Sequence, residues 1–225
     1  MPYFKNNDIN LLFIHIPKTG GVSLENYFRD KFNIPLNDKS LYMFLDKEIK
    51  VKNNIDINSS LQHITYQTIM KYKDFFNIID DNIDIITIVR NPYERIISDL
   101  FFFLKINIET SKDEVFHIIE NYILDSNLDN HNIPQYLFIT DSNKKLIPNI
   151  KILHTETLND DFINLGYEDF NENDNKNNNI YNNRPINKND YYDYLNDNSI
   201  KLINDYYHYD FTLFNYTKIS KPKED

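Results

Sequence analysis

Glycine is nearly absent from this chain, with 3 among 225 residues, so a place where two of them stand together constrains the backbone strongly. Gly20 and Gly21 are adjacent, directly after the apolar run Leu11 to Ile16 and Pro17. That run is short and β-rich, and it reads as a buried parallel strand. After the glycines, apolar residues at Val22, Leu24, Tyr27, Phe28 and Phe32 recur with helical spacing. The order is strand, glycine loop, helix. In an α/β unit this order puts backbone N–H groups and a helix N-terminus at the carboxyl edge of the sheet, a natural anion site. Glycine lets the chain curl closely around an anion without interference from Cβ. Lys18 adds a positive charge, and Thr19 and Ser23 add hydroxyl donors. Lys18, Thr19, Gly20, Gly21, Val22 and Ser23 are therefore a candidate phosphate-binding loop, against the plainer reading of an ordinary strand-to-helix turn. In a nucleotide triphosphatase loop Lys-Ser/Thr follows the last glycine; here Lys-Thr precedes both, which counts against an ATPase or GTPase.

A second unit of the same kind begins at Asp84. Asp84 to Val89 reads as another buried strand, leading into Arg90-Asn-Pro-Tyr-Glu-Arg95 and a helix through about Ile106. Asn91 suits the N-cap and Pro92 the first helical position. Arg90, at the strand end, can present a bidentate guanidinium to a phosphate, and Ser98 lies two turns along the helix. Arg95 pairs with a carboxylate or supports the loop, while Glu94 reads as a solvated helix residue or a partner of the helix dipole. Elsewhere, Ser59 to Lys73 reads as a loop and then a helix, and Lys112 to Leu124 as a helix. Ile150 to His154 is a third strand candidate, followed by a short helix ending near Gly166. Ser199 to Phe214 reads as a helix rich in Tyr and Phe. Alternating strands and helices predict a three-layer α/β fold with a central parallel sheet, in one domain over residues 1–225. The Asn-rich stretch Asn171 to Asn183 offers little apolar area and is expected to be a surface loop.

Two segments together bear a resemblance to a known family. Ile16-Pro-Lys-Thr-Gly-Gly-Val-Ser-Leu24 resembles the 5′-phosphosulfate loop of sulfotransferases that use PAPS (3′-phosphoadenosine 5′-phosphosulfate). The likeness is strongest to the carbohydrate, 2-O-sulfotransferase-like branch, where Thr is usual in place of Val22. Ile88 to Ser98 resembles the same family's 3′-phosphate segment. The resemblance implies a P-loop-like PAPS-binding fold and a sulfuryl transfer from PAPS to a hydroxyl, leaving PAP and needing no metal. It implies that the residues 18–23 hold the 5′ end, with Lys18 neutralising the departing oxygen. Arg90 and Ser98 would hold the 3′-phosphate. A looser match at Asn183-Arg184 makes Arg184 a further contact. Glu156 matches an acidic residue that organises the core.

A base is also required, and six histidines are candidates. His63 lies in the polar segment Ser59-Ser-Leu-Gln-His63, between the two cofactor segments. Members of the family place a catalytic histidine in this interval, and an imidazole titrates in the right range. His15 reads as strand-face packing, His117 and His208 as helix residues, and His131 and His154 as loop or strand-end positions. No His/Asp/Glu spacing suggests a metal site.

The formal net charge of -10 argues against a nucleic-acid partner and against long-range attraction to a polyanionic acceptor. No signal peptide or run of about 18 apolar residues is visible, so a cytoplasmic protein without a membrane span is expected. The acceptor is expected to be a glycan. A nucleotide-binding protein of this fold without catalysis, or a small-molecule kinase with a degenerate phosphate loop, are the alternatives. Acceptor identity and oligomeric state are not legible.

Overall fold

Four short runs of β-rich sequence make one mixed sheet in the computed structural model, which describes residues 3–35, 44–78, 82–172 and 188–220. The strands are β1 (Tyr3–Lys5), β2 (Asn10–Ile14), β3 (Asp84–Val89) and β4 (Lys151–His154), in the order β1-β2-β3-β4. β2, β3 and β4 are parallel, with Phe13 opposite Ile86 and Ile88 opposite Leu153. The central residues of β2 and β3 are buried on both faces, which explains why these two strands read as continuous apolar runs rather than alternating ones. Thr87, the polar exception inside β3, donates its hydroxyl to the Ile14 carbonyl at 2.8 Å.

The sheet is not wholly parallel. β1 pairs antiparallel with β2, Phe4 opposite Leu11, in a hairpin not among the elements expected from the sequence. Asn6 makes the turn: its side-chain oxygen accepts from the N–H groups of Asp8 (2.8 Å) and Ile9 (3.1 Å). Phe4 is fully buried and pins the strand to the core.

Among the described residues the α-helices are α1 (Gly21–Lys31), α2 (Lys47–Asn53), α3 (Tyr66–Lys71), α4 (Pro92–Phe102), α5 (Lys112–Leu124), α6 (Leu158–Asn164), α7 (Asp197–Tyr206) and α8 (His208–Leu213). None is long and apolar enough to cross a membrane. α4 starts as expected, with Asn91 accepting from the Tyr93 N–H at 3.0 Å and Pro92 at its head. It stops at Phe102, short of Ile106. Leu104 takes a left-handed φ of 55°, and the Lys105 N–H bonds back to the Leu100 carbonyl at 2.9 Å. The C-terminal aromatic segment is two helices divided at Tyr207, not one. α2 is an element that the sequence reading did not foresee.

The chain divides into two compact units, one of Met1–Val89, Asp129–His131 and Gln135–Lys176, the other of Arg90–Leu128, Asn132–Pro134 and Asn177–Asp225. The first holds the whole sheet. Leu11, Phe13, Ile86, Ile88 and Leu153 pack there with Leu24 and Phe28 of α1 and Phe162 of α6. Phe170 stacks on Phe162 with ring centroids 3.7 Å apart. The second unit is helical, and its core gathers Tyr93, Ile97, Leu100, Val115, Ile119, Ile203, Tyr207 and Phe211.

Candidate functional site

The loop between β2 and α1 gets its shape from its own hydrogen bonds. Thr19 is fully buried and donates its hydroxyl to the Ile16 carbonyl at 2.8 Å. Its own carbonyl accepts from the Thr155 hydroxyl at 2.6 Å. Thr155 also lies 3.1 Å from the Val89 carbonyl, so one side chain ties the loop to the end of β3. Thr19 therefore spends its hydroxyl proton inside the loop, rather than offering it to a ligand. Lys18 (φ 66°) and Gly20 (φ 95°) both take left-handed conformations, which roll the chain into the helix. Gly20 is exposed and forms the N-cap of α1, with no capping side chain and no acidic residue in the first turn. Such an end presents backbone N–H groups and the positive end of the helix dipole. Val22 is 44% exposed, so it stands on the open side of the loop and not in the buried stripe expected for it.

Gly21 has a different reason to be glycine. A Cβ there would lie 2.6 Å from Nε2 of His15. The imidazole of His15 fills the space that a side chain would need, and its Nδ1 bonds Glu25 Oε1 at 2.5 Å. Gln62 donates to both oxygens of Glu25, at 3.1 and 3.0 Å. Glu25 is 1% exposed and falls on the buried face of α1 beside Gly21, Leu24 and Phe28. A carboxylate at i+4 on an apolar face needs buried partners, and that spacing is the signal for Glu25 in the sequence.

His63 lies against this network, its ring 5.3 Å from that of His15. Its Nδ1 is 2.8 Å from Asp129 Oδ2, and the ring of His131 meets it edge-on at 4.8 Å. Asp129 also accepts from the Ser60 N–H through Oδ1. Burial pushes the His63 imidazole down to about 4, with His15 and His131 adding to the effect and the hydrogen bond that the ring donates to Asp129 opposing it. Asp129 is held below its ordinary carboxylate value by that bond and by the Ser60 N–H, against desolvation. A neutral imidazole beside an ionised carboxylate satisfies both shifts. No spacing in the sequence announced this group, because 66 residues separate His63 from Asp129. The ligand atoms of His63, Asp129 and His131 lie within 4.8 Å of one another, close enough for a transition ion as well as for a hydrogen-bonded cluster.

In the helical unit, Arg90 is buried, and its guanidinium bonds Glu94 Oε2 at 3.1 Å and lies 5.3 Å from the centre of the Tyr191 ring. Glu94 is 9% exposed, not the solvated residue expected. Arg95 is also buried and donates to the Ile133 carbonyl at 3.0 Å, the loop-supporting role. Ser98 is 2% exposed, and its hydroxyl has no hydrogen-bond partner among the described residues. A buried hydroxyl without a partner fits a group that receives a ligand. Arg184 and most of the Asn-rich stretch lie outside the described residues. His154 ends β4, its N–H bonded to Asp161 at 2.8 Å, and His117 is exposed beside Glu120.

A family model described as "Sulfotransferase family" matches residues 1–217 of the chain. No curated protein and no solved structure matches it.

Proposed function

Because this chain belongs to the sulfotransferase family, we propose that it transfers a sulfuryl group from PAPS to a hydroxyl of a carbohydrate, with His63 as the base. The observation that carries the reading is the pairing, in one unit, of an uncapped helix N-terminus at a lysine-bearing glycine loop with a buried, neutral imidazole.

The residues fit such a donor. The backbone N–H groups of Gly20, Gly21 and Val22, the hydroxyl of Ser23 and the ammonium of Lys18 receive the 5′ end, the Ser23 N–H being bonded to the Gly20 carbonyl at 3.1 Å. Thr19 contributes its place in the loop, since its hydroxyl is engaged internally. Arg90, preset by Glu94, and the hydroxyl of Ser98, which has no hydrogen-bond partner among the described residues, receive the 3′-phosphate. Arg184 is a further contact, to that phosphate or on the adenine side. PAPS supplies the sulfuryl group, and PAP is released. The imidazole of His63 takes the proton of the attacking hydroxyl, while Lys18 offsets negative charge on the departing oxygen. Positioning and electrostatics do the rest, and no metal is required.

Two measurements test this. Thermal shift with PAP and with ATP, in EDTA and in Mg²⁺, separates the donor classes. At a ligand concentration about 100-fold above Kd, PAP should stabilise the protein by about 2.7 kcal/mol without metal. Stabilisation by ATP only, and only with Mg²⁺, would overturn the reading in favour of a kinase. His63→Ala should lower transfer by about 10²- to 10⁴-fold. Its stabilisation by PAP should remain. Full activity in that variant removes His63 from the base role.

A further inference from the structure

We infer that Asp129 is the positioning residue of the base: it selects the His63 tautomer whose Nε2 is free to accept a proton. The inference rests on the transferase reading for its kinetic consequence, but not for its structural one.

Two consecutive residues commit three hydrogen bonds to this arrangement. Asp129 Oδ2 faces His63 Nδ1 at 2.8 Å, Asp129 Oδ1 accepts from the Ser60 N–H, and Asn130 Nδ2 donates to the His63 carbonyl at 2.8 Å. Asp129 (φ 50°) and Asn130 (φ 64°) both hold left-handed backbone conformations, which side chains other than glycine adopt rarely. Two such residues in succession cost conformational energy that the surrounding contacts must offset. Here the backbone kink delivers one side chain to the ring of His63 and the next to its main chain. The loop bearing the base is thus gripped from a segment 66 residues away.

The chemistry follows from donor and acceptor counts. An ionised carboxylate can only accept, so the nitrogen facing it must bear the proton. The Nδ1–H of His63 is donated to Asp129, and the lone pair is left on Nε2. When the imidazole takes a proton at Nε2, the adjacent carboxylate stabilises the imidazolium that forms, the division of labour known from hydrolase triads. His15 and His131 pack against the His63 ring without bonding Nδ1, and the Ser60 hydroxyl lies 3.5 Å from that nitrogen, a longer contact than the 2.8 Å to Asp129.

Asp129→Asn gives a sharp test, because Ser60 decides how the amide must lie. The Ser60 N–H needs an acceptor, so the Asn oxygen stays with it and the NH₂ group turns to His63. That group donates, which forces Nδ1 to accept and moves the proton to Nε2. Ring ¹⁵N NMR of His63 should therefore show the Nδ1–H tautomer in the native chain and the Nε2–H tautomer in Asp129→Asn. In the same variant, kcat should fall by about 10²- to 10⁴-fold. KM for PAPS and stabilisation by PAP should be unchanged. An Nε2–H tautomer in the native chain overturns the inference outright, whether or not the variant folds. So does an Asp129→Asn protein with flipped tautomer and native kcat. If the native chain transfers no sulfuryl group but shows the tautomer switch, the transferase reading fails and the positioning of His63 by Asp129 stands.

Discussion

At the scale of single residues, the environment of His63 decides its chemistry more than its identity does. Desolvation holds the neutral form, so the imidazole stays a base down to about 4, well below its ordinary value of 6.5. The sign of the consequence is fixed. A lowered histidine contributes to folding stability fully above 6.5, and that contribution is lost as pH falls toward 4. By the same shift the ring is unprotonated throughout the neutral range, the state that the proposed base role needs. The acid limb of kcat/KM should therefore lie near 4 rather than near 6.5, measurable by a pH–rate profile from 4 to 8 with His15, His131 and Asp129 intact. A limb near 6.5 would show an imidazole in contact with bulk water. The place of His63 between two motifs singles it out in the sequence as a candidate. Asp129, Glu25 and Gln62 were not read, since each acts through partners that only folding brings near.

At the scale of elements, the β2–α1 joint shows that adjacent glycines answer to different demands. Gly20 needs freedom of φ, at 95°, whereas the Cβ it lacks would meet Leu158 at an ordinary 3.7 Å. Gly21 needs the absence of a side chain, because the His15 ring occupies its Cβ space and Glu25 prevents the ring from retreating. Gly21→Ala should thus destabilise the protein by about 1–3 kcal/mol through overpacking. Gly20→Ala should cost about 1–2 kcal/mol, the penalty of a left-handed residue with a Cβ. Urea midpoints measure both, and restoration of Gly21→Ala stability by a second change, His15→Ala, would identify the ring as the obstacle. Equal midpoints for native and Gly21→Ala proteins would refute that explanation. The strand and helix flanking this joint were readable from apolar periodicity alone. β1 was not, because three residues with one buried Phe leave no period to detect, and its strand character comes from pairing with β2.

At the scale of the whole molecule, charge sets the terms on which an acceptor approaches. A net charge of -10 repels a polyanion at long range, and salt screens that repulsion over about 10 Å at 0.1 M. Transfer to a neutral oligosaccharide should therefore exceed transfer to a highly sulfated one at low ionic strength, with the gap narrowing as salt rises to 0.15 M. Initial rates across a salt series would measure it. A polyanionic acceptor favoured at low salt would point instead to a local basic groove strong enough to overcome the net field.

The sequence by itself determined the parallel strands, the two loops that follow β2 and β3, and membership of the sulfotransferase family, because these rest on local periodicity and contiguous motifs. The antiparallel edge, the burial of Glu94 and the early end of α4 came from tertiary structure. So did the grouping of His63 with Asp129 and His131. These depend on which distant segments share a desolvated space. Burial turns a polar residue into one that must have a partner, and the partner can come from anywhere in the chain.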